Sequence, residues 1–83
     1  MPRPDWSRPL PQSLLIPDVM TLATLADVRE LLRHVPKQRR ELDTWRHVAD
    51  ELEAAARSDS DPVQLSVALR LVLSLERVPW RPA

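Results

Sequence analysis

The chain has 83 residues, a formal net charge of zero at pH 7 and no cysteine. Its length suits one domain with one core, and its balanced charge gives no overall attraction to nucleic acid or to anionic membranes. Without cysteine it has no disulfide, thiolate metal site or thiol nucleophile. No stretch approaches the roughly 18 apolar residues of a membrane span. The first residues also lack the uninterrupted apolar run of a secretory signal. We therefore expect a soluble cytoplasmic protein, and its excess of arginine over lysine suggests a bacterial one.

The N-terminal third is rich in proline. Residues 1–12 are predicted to form an extended arm, because proline fixes φ and disfavours regular structure. Residues 13–22 are apolar but contain Pro17, which predicts an irregular segment laid over the core. A short helical turn near Asp18 is a further option within this segment. A first helix is predicted over residues 24–35. Its start resembles a capping box formed by Thr24 and Asp27, and a proline follows its last residue.

A polar connector over residues 37–42 is followed by a second predicted helix over residues 44–57. Apolar side chains recur on one side of this helix at the spacing of an amphipathic helix. The predicted inward face consists of Trp45, Val48, Ala49, Leu52, Ala55 and Ala56.

The run from residue 63 to residue 75 fits two periodicities. Every odd position is apolar, as in a half-buried strand, whereas Ser66, Arg70, Ser74 and Arg77 form one polar stripe on a helix. Helix is favoured because the preceding Asp-Pro pair is a strong helix start. The chain also has no glycine or asparagine for the favoured two-residue hairpin turns. We predict a helix over residues 62–77 whose polar stripe faces water.

Together these elements predict an all-α fold, a small three-helix domain or helical bundle. The helical domain covers residues 13–78, between the Pro-rich arm of residues 1–12 and a short C-terminal tail of residues 79–83. The third helix is apolar almost all round, so its surface needs cover. If the other two helices and residues 14–22 bury this apolar surface, the protein is a monomer, which is the favoured prediction. If they do not, a homodimer is the alternative.

Two tryptophans lie in the proline-rich ends of the chain. Trp6 and Trp80 each stand close before an Arg-Pro pair. A tryptophan on an extended backbone is a suitable anchor in a partner's groove, since such a backbone loses little entropy on binding. Trp6, Trp80 and Arg81 are therefore candidate partner-binding residues. For Trp80 the favoured interpretation is nevertheless that the ring folds back onto a core that has no Phe or Tyr, and for Trp6 the two interpretations are left open.

A basic cluster surrounds the start of the second predicted helix and is a candidate site for an anion or nucleic acid. Its members are Lys37, Arg39, Arg40 and Arg46. Residues 36–42 and 45–57 can be drawn as a helix-turn-helix. However, the interleaved acids Glu41 and Asp43 would repel a phosphate backbone. Solvated surface charge is the favoured interpretation, and nucleic-acid binding is the alternative.

No motif predicts catalysis, a metal or a cofactor. The acidic residues lack the glycine of a calcium loop, and His34 and His47 are isolated in sequence. The chain shows no family resemblance. The predicted function is a small helical protein–protein interaction or regulatory module with an unknown protein partner, and not an enzyme.

Overall fold

The computed structural model describes residues 3–83, which form helices and an antiparallel sheet. In chain order the elements are β1 (Pro9–Ile16), β2 (Met20–Thr24), α1 (Leu25–His34), α2 (Lys37–Arg40), α3 (Asp43–Ala56), α4 (Pro62–Leu75) and β3 (Arg81–Pro82). The sheet has three strands in the order β2-β1-β3. The predicted all-α helical bundle is therefore wrong, and the domain is of mixed α and β structure.

Strands β1 and β2 form a hairpin where an irregular segment was predicted. Leu14 pairs with Leu22 and Ile16 with Met20. The turn is closed by the Val19 N–H, which donates to the Ile16 carbonyl oxygen at 3.0 Å. Asp18, after Pro17, has φ 63°, and a turn with proline second commonly needs positive φ at its third position. The missing glycine and asparagine did not prevent a hairpin, because aspartate also tolerates this conformation.

The hairpin turns one face toward the core. Leu14, Ile16 and Leu22 are buried, whereas the alternating Thr21 is exposed. The other edge of β1 pairs with β3, and the Ala83 N–H donates to the Ser13 carbonyl oxygen at 2.9 Å. The predicted C-terminal tail thus supplies the third strand.

The three predicted helices are present, each within two residues of its predicted ends, and two predicted caps are confirmed. Thr24 and Asp27 form the capping box of α1, in which the Asp27 carboxylate accepts from the Thr24 N–H at 3.1 Å. At α4, the Asp61 carboxylate accepts from the Val63 N–H at 2.9 Å, and proline occupies the first helical position. These starts were predictable because a cap depends on neighbouring residues alone.

Helices α3 and α4 both end in a left-handed residue that is not glycine. Ser58 has φ 64° after α3, and Arg77 has φ 57° after α4. After α4, the Val78 N–H donates to the Leu73 carbonyl oxygen at 2.9 Å. This bond is typical of a Schellman motif, where glycine is the usual left-handed residue.

The core lies between the sheet and helices α1, α3 and α4. Its buried side chains are aliphatic apart from Trp45. The central members, each almost completely buried, are Leu14, Ile16, Leu22, Leu25, Val28, Val48, Leu65, Leu69, Val72 and Leu73. Within residues 3–83, no helix combines the length and apolar character that crossing a membrane requires.

Candidate functional site

The most distinctive surface feature is the outer side of α4. Four large aliphatic side chains there are exposed to 44%, 49%, 54% and 60%, namely Val63, Val67, Leu71 and Leu75. Their four-residue spacing places them along one side of the helix. We call these four residues the α4 stripe. It is about 18 Å long, given a rise of about 1.5 Å per residue.

The α4 stripe exists because only one side of the helix is covered. Strand β1 and helix α3 both pack against α4. On that side Leu65, Leu69 and Leu73 are almost fully buried. No element formed by residues 3–83 covers the opposite side of α4. Residues 14–22 therefore contribute to the core but leave the α4 stripe exposed. The prediction that these residues and the other helices would cover this helix, which favoured a monomer, is wrong for the stripe.

The predicted polar stripe does not mark the water-facing side. Ser66 is only 4% exposed and Arg70 is half-buried, whereas Ser74 and Arg77 are exposed. The prediction was wrong for Ser66 because a serine is small enough to be buried in a helix interface. The Arg70 side chain reaches back along the helix, and its Nε–H donates to the Ser66 carbonyl oxygen at 3.4 Å.

Trp6 lies on the folded domain and not on a free arm. It packs against the core, and the Arg29 guanidinium carbon lies 4.6 Å from the ring centroid. The Trp6 carbonyl oxygen accepts from the Ala26 N–H at 2.8 Å. Nearby, the Ser7 side chain and N–H donate to the Asp5 carboxylate and lower its pKa. Residues 5–8 are therefore held against α1 and the end of α3, where the Asp5 N–H donates to the Ala56 carbonyl oxygen at 2.8 Å.

Trp80 is also held against the domain. Its ring packs partly against the core, and its Nε1–H donates to the Ser74 hydroxyl at 3.3 Å. Ser74 is three residues from Leu71, so this indole borders the α4 stripe. Arg81 is exposed in β3. A partner-binding role for Trp6, Trp80 and Arg81 stays a prediction, but neither indole has the free arm on which that role was based.

The structure brings the basic cluster onto two consecutive helices. Lys37, Arg39 and Arg40 lie on α2 and Arg46 on α3, all exposed. Arg39 is paired, because its Nη1–H donates to Glu76 Oε2 at 3.1 Å. The sequence interpretation missed this partner, which lies just after α4 and far from the cluster along the chain.

Glu76 also ties the core tryptophan to the end of α4. Its Oε1 accepts from the Nε1–H of the buried Trp45 at 2.8 Å, and its side chain is only 18% exposed. A cavity of about 370 Å³ lies beside this pair, with walls that include Leu31, Val35 and Leu73. Arg39 and Glu76 in its wall pair with each other, and most of the other wall residues are apolar.

A metal site has no support in the part of the chain that the structure describes. No group of three or more His, Cys, Asp or Glu side chains is close enough there to hold an ion. The exposed aliphatic side of α4 is the prominent surface feature of residues 3–83.

No protein-family model, curated protein or solved structure matches this chain.

Proposed function

We propose that the protein is a small protein–protein interaction module and that the α4 stripe is its binding surface. The observation that carries the proposal is the line of four aliphatic side chains, each about half exposed, on a helix whose other side forms the core. Single exposed aliphatic residues are common on soluble proteins. A contiguous line of them is typical of a surface that another molecule covers.

The exposed area is large enough to contribute to binding. Together the four exposed fractions amount to about two complete aliphatic side chains. Complete burial of one such side chain contributes about 1.5–3 kcal/mol, so covering the stripe contributes about 3–6 kcal/mol. Association also costs translational and rotational freedom, which reduces the net affinity. We therefore propose reversible binding, with further contacts supplied around the stripe.

A non-enzymatic role in the cytoplasm is part of this proposal. Of the polar side chains in the cavity wall, Arg39 and Glu76 are paired with each other. The absence of cysteine is compatible with a reducing compartment.

Nucleic-acid binding by the basic cluster has less support. Arg39 is already paired with Glu76, and the exposed acids Glu41 and Asp43 lie within the same stretch. Each acid opposes the contact with phosphate that would drive such binding. Strongly salt-dependent binding of DNA or RNA, abolished by Arg40→Glu but not by Leu71→Glu, would replace the proposal made here.

The absence of cysteine allows a direct test with one probe at a time. The variants Leu71→Cys and Val19→Cys each carry a photoactivatable crosslinker and are irradiated in an extract of the native cells. Val19 is the matched control, because it is 65% exposed but lies in the hairpin turn. We expect a discrete adduct from position 71 that disappears when Val67→Glu is added. The same adducts from positions 71 and 19 would contradict the proposal.

A further inference from the structure

We propose that the partner of the α4 stripe is an amphipathic helix of another protein, whose apolar line is bordered by carboxylate side chains. This inference rests on the proposed interaction role of the stripe and specifies the chemistry of the partner. Two observations carry it. They are the charge on the helix that bears the stripe and the environment of Arg70, the arginine beside it.

The charge that α4 offers to a partner is positive. Arg70 is the one charged residue between residues 62 and 75, and the exposed Arg77 follows the helix closely. The two acids next to the helix already have partners. Asp61 accepts from the N–H at its start, and Glu76 accepts from the core tryptophan. A partner that places carboxylates beside its own apolar residues therefore complements this surface in charge.

Arg70 is held beside the stripe with donors to spare. Its Nε–H donates to the Ser66 carbonyl oxygen, which brings the half-buried side chain toward the turn that carries Val67. Within residues 3–83, no carboxylate forms an ion pair with Arg70. No side-chain nitrogen there is both buried and unbonded, so its two Nη groups reach water. A guanidinium binds a carboxylate through two parallel hydrogen bonds, and Arg70 is oriented for such a contact.

The shape of the stripe favours a helix as the carrier of these carboxylates. The backbone groups of α4 are bonded within the helix, so a partner contacts side chains and cannot add a strand. The narrow apolar line corresponds in length to about 12 residues of a second helix. On such a helix, acidic side chains three or four positions from an apolar residue lie beside it. The apolar area is small for a stable interface, so binding is weak and the charged contacts contribute much of its selectivity.

The first test uses a synthetic helix as the probe. An Ala-rich peptide of about 18 residues, long enough to be helical, carries one line of leucines bordered by glutamates. Titrated into the ¹⁵N-labelled intact chain, it should shift the amide signals around Val67, Arg70 and Leu71. The same peptide with lysine in place of each glutamate should bind at least about tenfold more weakly. Equal affinity for the two peptides, or no shift from either at millimolar concentration, overturns the inference.

Charge reversal at Arg70 is the decisive variant. Arg70→Glu should lose the glutamate peptide and bind the lysine peptide. The matched control is Arg33→Glu, which changes the net charge equally but lies on α1, where Arg33 is exposed and pairs with Glu30. It should keep the preference for the glutamate peptide. Circular dichroism shows whether both variants are folded. If Arg70→Glu is not, Arg77→Glu at an exposed position takes its place. An unchanged preference in the folded variant overturns the inference.

The crosslinking experiment distinguishes this inference from the proposed function. An adduct from Leu71→Cys that persists in full after Arg70→Glu is added shows a partner that is not recognised by charge. That result overturns the inference and leaves the interaction role intact. Loss of the adduct with Arg70→Glu but not with Arg33→Glu, together with binding of the glutamate peptide, supports it. Binding of anionic phosphatidylglycerol vesicles that Leu71→Glu abolishes, with neither peptide bound, shows a lipid-facing surface and overturns both proposals.

Discussion

The two sides of α4 are built from the same residue types but have opposite environments. Leu69 and Leu73 are buried against the rest of the domain, whereas Leu71 and Leu75, two positions further along in each case, are more than half exposed. Hydrophobicity therefore does not identify the covered side. The neighbouring elements α3 and β1 do. One helix therefore contributes to the core with one side and exposes an apolar line of side chains with the other.

The largest expected effect is the loss of stability caused by a substitution on the buried side of α4. Leu69→Ala removes a completely buried side chain and should lower the free energy of unfolding by about 2–5 kcal/mol. The matched variant Leu71→Ala removes the same atoms from the exposed side and should change it by less than about 0.5 kcal/mol in dilute solution. Urea denaturation measures both values. Equal losses would show that the two sides are not distinct.

The next largest loss of stability is expected from Glu76, whose carboxylate at the end of α4 accepts from Trp45 and Arg39. Glu76→Ala leaves the Nε1–H of buried Trp45 without its acceptor and removes the Arg39 pair. We expect a loss of about 1–3 kcal/mol. The control is Glu53→Ala, because Glu53 only pairs with Arg57 at 3.9 Å on an exposed surface. Its effect should be under about 0.5 kcal/mol. Thermal denaturation followed by Trp fluorescence compares the two, and similar losses would contradict the assignment.

A smaller loss of stability is expected from the cap at the start of α4, which supports the buried and the exposed side of the helix alike. Asp61→Ala removes the acceptor for the Val63 N–H at the start of the helix and should cost about 1 kcal/mol. Asp61→Asn keeps a side-chain oxygen in the same place and should cost much less. The midpoint of urea denaturation distinguishes them. If both variants lose the same stability, the charge of Asp61 matters and its capping bond does not.

The smallest effect lies at the end of α4 and alters neither side. Arg77 has the left-handed conformation, which costs a non-glycine residue about 1 kcal/mol of strain, and Arg77→Gly removes that strain. The same substitution also makes the unfolded chain more flexible, which offsets part of the gain. The expected net gain is about 0.5 kcal/mol, or roughly 2–4 °C in Tm by calorimetry. Ser58→Gly at the end of α3 should give a similar gain. A fall in Tm in both variants would show that these side chains make stabilising contacts.

The helices were predictable because their signals are local. Periodic apolar residues and the caps at Thr24 and Asp61 act over one or two turns. The sheet was missed for two physical reasons. Its hairpin turn uses a left-handed aspartate, Asp18, where glycine or asparagine is the usual signal. Its third strand, Arg81–Pro82, has two residues and no recognisable pattern of its own.

The candidate site was missed for a different reason. The sequence shows that α4 is apolar on nearly every side, but tertiary packing decides which side is covered. The polar residues suggested the wrong side, since Ser66 is buried. A signal was present in the four-residue spacing from Val63 to Leu75, which adds a second apolar line to the one that the core uses.

The pairing of β1 has a consequence for the order of folding. One edge of β1 pairs with β2, which follows it after a few residues. Its other edge pairs with β3 at the other end of the chain, where Leu14 lies opposite Pro82. Contacts between residues so distant in sequence form slowly, so the hairpin and helices should precede the third strand. Until β3 docks, Leu14 and Leu15 lie on an open strand edge, which is a template for pairing with other chains. Docking of the two-residue strand β3 should therefore also close this part of the β1 edge to other chains.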